Sequence, residues 1–597
     1  MGIMKKLRIY LFVSISCAIA GYGSGAEAKL IQVLHTNDLH AALETEGAPK
    51  EGEPEYGGWA QLKKAMDAAT LQASLNGIES IRLDAGDFTE GSTFYFPNHG
   101  AGVIQAFQHL GYDAVVMGNH DWLMGARSLD DLYGEKPFPF PVLSANIKIQ
   151  SGLKNLTKTI LPSTQLIRNG IKIGVFGLST DEALYSWIPR VNSKKREMKI
   201  QDYRDDIYED DGESGTRIYP GIANQLIEKL RAENDVVIGL THIGLDEDQL
   251  LAANSRGLDL IVGGHSHSLL EKPSFTNDLD GKKVPIVQVG MNGKYFGKMI
   301  LNIEPGQRPQ LISYELVPVL RNDAKDALVE NDVNAAKNQR NTQFGNEMNR
   351  VVGISEDRLV SGAVGPTAFS KFVVDSMRDT AQADVGIDVG AFHGSAAQAA
   401  GPVTRLNLIE MYPRKFERDQ NQGLYVYEAK VPGILIRIGL NYAVRFGTHL
   451  EMSGVTYDLE KISPEKYKEL KDKYADSSAE NIVTPYRVRN IKVGGKPLKG
   501  LYWYKVAAPE SLVRGAFGVS IFTHLVIRQA KPTHFTLWEA MIAYLHKTRL
   551  IPKREVDLGP NPWAAQISSH RSILQDFVIQ SVDELKEAVT SEDYSQP

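Results

Sequence analysis

IQVLHTNDLH, residues 31–40, is an apolar, β-branched run that stops on a polar tail carrying Asp38 and His40. A buried strand reads this way, as a short apolar run closed by loop-forming polar residues. The same grammar recurs downstream. SIRLDAGD ends on Asp87, AVVMGNHD on Asn119, His120 and Asp121, DVVIGLTHIG carries His242, and LDLIVGGHSH ends on His265 and His267. KIGVFGLS from Lys172 is a further run of the kind. Helical patterns lie between several of them, such as GWAQLKKAMDAATLQA from Gly58 and IANQLIEKLRAEN from Ile222. Strand, loop and helix in alternation predict an α/β domain. The polar residues fall just past the carboxyl ends of the strands, where open α/β sheets place their ligands.

Five of these strand ends deliver imidazole, carboxylate or amide groups. A single His or Asp at a strand end is ordinarily a cap or a surface residue. Five of the chain's 14 histidines gathered at glycine-flanked strand ends are better explained by a metal centre. Imidazole plus carboxylate suits Mn, Fe, Co or Zn. Cys17 is the only cysteine, which excludes a disulfide within the chain and a Cys-based zinc site.

The 597 residues, 43% hydrophobic and 23% charged, have the profile of an ordinary soluble globular protein of several domains or two large ones. Collagen-like, disordered and polytopic membrane classes are excluded. A net charge of −6 argues against nucleic-acid polymers as partners. Lys5, Lys6 and Arg8 precede the apolar run Ile9 to Gly21, and Ala26-Glu27-Ala28 fits the A-x-A rule. That order predicts a signal peptide over residues 1–28, too short to span a membrane. Cys17 sits inside the apolar run without a convincing lipobox. Cleavage after Ala28 takes the net charge from −6 to −8 and leaves a cysteine-free chain. The expectation is an exported protein, periplasmic or else secreted or surface-held, with no transmembrane segment.

The first domain is expected over residues 29–322. Residues 323–350 are polar and Asn/Gln-rich and predict an exposed linker helix. A mixed domain follows over 351–555, with a helix at TAFSKFVVDSMRDTAQ and strands at DVGIDVG, GLYVYEAK, SGVTYDLE and YWYKVAAP. A helical tail is expected over 556–597. DDIYEDDGE from Asp205 lacks EF-hand spacing and reads as a solvated loop.

The order D-x-H, G-D, G-N-H-D, H, G-H-x-H resembles the calcineurin-like metallophosphatase superfamily. With the second half behind it, the chain is similar to the 5′-nucleotidase family. The resemblance implies an α/β, two-domain fold: an N-terminal metallophosphatase β-sandwich flanked by helices and a C-terminal 5′-nucleotidase-type mixed domain. It also implies two divalent metal ions. Asp38, His40, Asp87 and His267 would hold one, and Asp87, Asn119, His242 and His265 the other. A water between two cations ~3.5–4 Å apart would become the attacking hydroxide. His120 would stand near the leaving group, so His120 and Asp87 are the catalytic candidates. The family reads G-N-H-E-F-D, its last Asp orienting the His, whereas this chain has Leu123 there. Asn292 and Tyr295 are expected to support the site or turn the chain.

The second domain departs further. His393 stands where the family's N-G-G-x-R has Arg, and GPVTRLNLIEMYPRKF from Gly401 runs into Arg414, Lys415 and Arg418. The family's stacking aromatics align with Met452 and Val519, with Phe517 close to the latter. His393, Arg414, Lys415, Arg418 and Phe517 are thus the substrate-binding candidates. The implied activity is hydrolysis of a phosphate ester, foremost a nucleotide-like small molecule. A thiosulfohydrolase of the sulfur-oxidation type, with a protein partner, is the alternative on the same fold. A non-catalytic surface-binding protein is the third reading.

Overall fold

The computed structural model describes residues 29–44, 54–122, 126–149, 152–180, 198–200, 221–304, 306–361, 365–394, 396–414, 423–445, 447, 449–473, 483–513 and 530–554. The expected signal peptide, the acidic run from Asp205 and the helical tail lie outside these residues.

Strands β1 (Lys29–Thr36), β2 (Glu79–Asp84) and β3 (Ala114–Val116) run parallel, with Val33 beside Ile81 and Leu83 beside Ala114. They form the centre of a seven-stranded sheet, which the antiparallel strands Tyr295–Ile303 and Gln310–Pro318 complete at one edge. In the six-stranded second sheet, strand Val236–His242 lies between Ile171–Ser179 and Leu260–Gly263, parallel to both. Parallel strands present all their carboxyl ends at one edge. That edge collects the polar tails.

The sheets face each other across an apolar layer that includes Ile31, Val33, Leu83, Val116, Val175, Ile238 and Val262. A sheet buried on both faces is apolar throughout, which explains the near-continuous apolar runs in the sequence. Helices α1 (Trp59–Leu75) and α2 (Ala101–Gln108) cover one sheet, burying Trp59, Leu62 and Phe107. Ile227, Leu230 and Leu251 cover the other from helices Ile222–Glu233 and Leu245–Ala253. The result is a helix–sheet–sheet–helix sandwich.

The linker helix forms over Ala327–Phe344, and Asp326 caps it by accepting from the amides of Leu328 and Val329. Contrary to the expectation of exposure, Val329, Val333 and Ala336 are buried against the first domain. Their spacing of four and three residues makes one apolar stripe on an otherwise polar helix.

The second domain centres on a five-stranded sheet, ordered Leu450–Ser453, Val385–Val389, Trp503–Pro509, Tyr425–Pro432, Lys531–Thr536. Helices Ala368–Thr380 and Leu537–Thr548 pack beside it, each opened by a threonine capping box. Tyr95 and Phe96 leave the first domain to join this second core, where Phe96 meets Trp538 at 5.5 Å between ring centroids.

Candidate metal centre

The strand ends turn sharply. Asp38, His40, Asp87, His265 and His267 all adopt positive φ, between 46° and 76°. Such backbone costs of order 1–3 kcal/mol per residue and collects at functional sites. Main-chain bonds between the strand ends hold it: Asp38 donates to Gly86 O at 2.9 Å, and His40 to Asp87 O at 2.8 Å. Asn292 donates its amide to Asp38 O at 2.7 Å, and Tyr295 shares a 2.6 Å hydroxyl contact with Tyr56. Asn292 thus ties its loop to the Asp38 turn, while Tyr295 is engaged by Tyr56. At Gly118 an added Cβ would lie 2.2 Å from Asp87 Oδ1, so only glycine lets that carboxylate in.

Seven of the side chains named from the motifs come together at this edge. His40 Nε2 is 3.0 Å from His267 Nε2, and His267 Nε2 is 3.2 Å from Asp38 Oδ1. On the other side, His242 Nε2 is 3.0 Å from Asp87 Oδ2 and 3.1 Å from Asn119 Oδ1, while His265 Nδ1 is 3.0 Å from Asn119 Oδ1. Two triads, Asp38–His40–His267 and Asp87–His242–His265, each place one donor per residue within 4.8 Å of the others. Donors ~2.1 Å from a common cation lie about 3.0–3.4 Å apart in octahedral or tetrahedral geometry. The contacts of 3.0–3.2 Å on each side fit such ions.

The outward ring nitrogens are tied as metal-binding histidines require. His40 Nδ1 meets Glu90 O at 2.8 Å and His242 Nδ1 meets Ala85 O at 2.6 Å, leaving each Nε2 directed inward. Burial, aided by the neighbouring His120, lowers His40 to about 3, the neutral form a cation needs. Burial also opposes charge on His242, but Asp87 outweighs it and raises that ring to about 10. Burial works against ionised Asp87 too, yet His242 and His120 hold its carboxyl well below the usual range.

His120 stands at the rim, its Nε2 3.9 Å from Asp87 Oδ2. Asp121 does not orient it. Its two oxygens accept the amides of Asp87, Phe88, Thr89 and Gly118 at 2.8–3.0 Å, which ties the Asp87 loop to the G-N-H turn. Instead, His120 Nδ1 meets Glu90 Oε2 at 2.5 Å, and Arg414 Nη1 meets the same oxygen at 2.5 Å. Burial raises the Glu90 carboxyl, but Arg414 and His120 outweigh it and bring it below the usual range. Sequence reasoning missed Glu90. The available signal was an acidic residue in a glycine turn, three places after Asp87.

Arg414, taken above as a substrate residue, spends Nη1 on Glu90 and Nε on Phe392 O at 3.0 Å. His393 is buried, its Nε2 3.0 Å from Asp388 Oδ2, whose other oxygen accepts from Tyr412 at 3.2 Å. Met452 is buried in the second domain. Lys415, Arg418, Phe517, Val519 and Leu123 lie outside the described residues.

Residues 31–269 match the model for calcineurin-like phosphoesterases, and residues 351–524 the model for the 5′-nucleotidase C-terminal domain. The chain is 30% identical over 331 residues to the 5′-nucleotidase of Homo sapiens, covering 52% of this chain and 53% of that protein. It is 29% identical over 355 residues to a snake venom 5′-nucleotidase from Gloydius brevicauda, covering 56% and 55%. The chain thus spans about half the length of the curated relatives it matches. A 5′-nucleotidase precursor from Thermus thermophilus superposes with a TM-score of 0.68 at 22% identity, over 88% of this chain and 98% of that one. A sulfate thiohydrolase from the same organism gives 0.65 at 19%, over 92% and 99%. At those identities the likeness is one of fold. The chain thus carries a calcineurin-like phosphoesterase domain followed by a 5′-nucleotidase C-terminal domain, the two-domain order of the 5′-nucleotidases it resembles.

Proposed function

We propose that the chain is an exported, metal-dependent hydrolase of phosphoric ester bonds, with nucleotides as its leading substrates. The convergence of seven donors from five strand ends at cation-binding spacing carries this reading. Asp38, His40, Asp87 and His267 would hold one divalent ion, and Asp87, Asn119, His242 and His265 a second, with Mn, Zn, Fe or Co suited to the donors. Such ions, when bound, supply positive charge for phosphoryl oxygens and lower the pKa of a water between them. The chain's own residues set the rest. Asp87, grouped with His242 and His265 on one side and with His40 and His120 on the other, would serve both ions. Neutral Asn119 limits the negative charge that an anionic ester must approach. His120, directed at the same place, donates a hydrogen bond to the phosphoryl group or the leaving oxygen, a role typically worth ~10²–10⁴-fold. The basic start, apolar run and A-x-A tripeptide support export.

The test is phosphate release by the chain from Lys29 onward with Mn²⁺, using AMP, a UDP-sugar, a 2′,3′-cyclic nucleotide and bis-p-nitrophenyl phosphate. Turnover lost in Asp87→Asn supports the reading; metal-loaded protein inactive on the whole panel contradicts it. A thiosulfohydrolase is the second reading, favoured by the burial of His393 on Asp388 instead of an arginine at that position. Sulfate release from a cysteine-linked sulfane, with no phosphate release, would select it. The non-catalytic reading predicts fewer than one bound ion per chain.

A further inference from the structure

We propose that Glu90 is the carboxylate that positions His120, and that Arg414 of the second domain holds Glu90 in place for that task. The role of His120 rests on the phosphoesterase reading above; the contact itself rests on geometry alone.

An imidazole that must present one nitrogen to a substrate needs its other nitrogen tied, because the tie fixes both ring orientation and tautomer. The carboxylates near His120 can be taken in turn. Asp121 is adjacent in sequence, but both its oxygens are committed to backbone amides. Asp87 lies on the inward side, 3.9 Å from Nε2. Position 123 is leucine and offers no oxygen. Glu90 alone among these meets Nδ1, at 2.5 Å, and its side chain is 1% exposed. With an ionised carboxylate as acceptor, Nδ1 carries the proton and Nε2 is left facing the metal donors.

Arg414 completes the arrangement from the other domain. Its Nη1 reaches the oxygen that His120 uses, at 2.5 Å, while its Nε is anchored on Phe392 O at 3.0 Å. Glu90 Oε1, in contrast, is buried and has no hydrogen-bond partner among the described residues. A glutamate kept for stability alone would gain by pairing both oxygens, since an unmatched buried acceptor is a net cost. The chain after Glu90 runs straight into the domain interface. Thr93 Oγ1 accepts from Arg340 Nη1 at 3.0 Å, and Tyr95 and Phe96 enter the second core. The seating of the second domain and the orientation of His120 are therefore linked through one carboxylate.

The test compares two phosphate monoesters in the Mn²⁺-loaded protein. AMP needs a proton on its leaving oxygen, whereas p-nitrophenyl phosphate leaves as a stable phenolate. In Glu90→Gln, kcat for AMP should fall by about 10²-fold and for p-nitrophenyl phosphate by less than about threefold, with KM unchanged. Arg414→Ala should show the same split. The double variant should be no worse on AMP than Glu90→Gln, because both act through one ring. Bound metal per chain, measured in parallel, confirms that the site survives. Nitrogen-15 spectra of the histidine-labelled, metal-free protein, with His120 assigned from His120→Gln, should show an Nδ1–H tautomer that Glu90→Gln loses.

An equal loss on both esters, no loss on either, or an unchanged His120 tautomer overturns the proposal. If the unmodified protein cleaves neither ester, the phosphoesterase reading fails, and the tautomer signal still decides whether Glu90 positions the ring.

Discussion

Replacing Gly118 by alanine tests how tightly the centre is built. An ideal Cβ at residue 118 falls 2.2 Å from Asp87 Oδ1 and 2.3 Å from the Asp87 amide nitrogen, where ordinary contact begins at 3.4 Å. One side must move by about 1.2 Å, the difference between those spacings. Neither side is free to do so. The Asp87 amide is bonded to Asp121 at 3.0 Å and its Oδ1 accepts from the His120 amide at 2.7 Å. Donor groups must be held within roughly 0.5 Å to work, so in the proposed two-ion centre the movement would remove Asp87 as a useful ligand. Loss of supporting contacts around a metal typically costs ~10–100-fold in affinity. Displacing the carboxylate that joins both donor groups should cost at least about 10²-fold for one ion, and a ~1 Å misplacement lowers kcat by a further ~10²-fold. Chelator competition with Mn²⁺ or Zn²⁺ measures the affinity, and circular dichroism checks folding. Gly439→Ala is the control: nothing lies within 4 Å of its added Cβ, and it sits inside helix Gly433–Arg445. That change should leave metal affinity intact and stabilise the helix by up to about 1 kcal/mol. Wild-type affinity for two ions in Gly118→Ala would refute the reasoning.

His35 should make stability fall in acid. It is fully buried, and burial lowers its pKa to about 3, so between pH 6.5 and that value only the unfolded chain takes up its proton. Stability is therefore greatest above pH 6.5 and lost as pH drops. From pH 7 to 5 the His35 contribution is about 2 kcal/mol, so His35→Asn should flatten urea-derived stability over that range by this amount. An unchanged slope contradicts the assignment. Asp121→Asn leaves one carbonyl oxygen where two oxygens accepted four amides, so buried N–H groups lose partners. Denaturant unfolding should show a loss of roughly 2–4 kcal/mol; a neutral result would mean the amide clamp is unimportant. Removal of divalent metal by EDTA should abolish phosphate release and lower the melting temperature, with both restored by Mn²⁺. At a metal concentration about 100 times Kd the stabilisation is ~2.7 kcal/mol, and a melting temperature indifferent to EDTA would argue against metal at this centre.

The sandwich was legible because its strands are largely buried on both faces, so β1 and the strands Val236–His242 and Leu260–Gly263 read as near-continuous apolar runs. The donors were legible because each run stops abruptly on polar residues. Backbone strain was not: nothing in the residue types of Asp38, His40 or His267 announces a positive φ. The linker helix was half legible. Its polar composition hid a three-residue stripe, Val329, Val333 and Ala336, whose burial depends on α1 and α2 lying beside it. Glu90 was hidden for the opposite reason. Its value depends on Arg414, 324 positions away, and only tertiary structure brings that guanidinium to it. The substrate candidates illustrate the same limit, since His393 is read from its place in the family motif and Arg414 from a basic run, and the fold gives both of them protein carboxylates as partners.

The most direct test of the central claim is anomalous diffraction from crystals grown with Mn²⁺, recorded on either side of the manganese edge. The account predicts two anomalous peaks on opposite sides of Asp87, one within reach of Asp38, His40 and His267, the other of Asn119, His242 and His265. No peak at these residues, or one ion bound elsewhere, would contradict it.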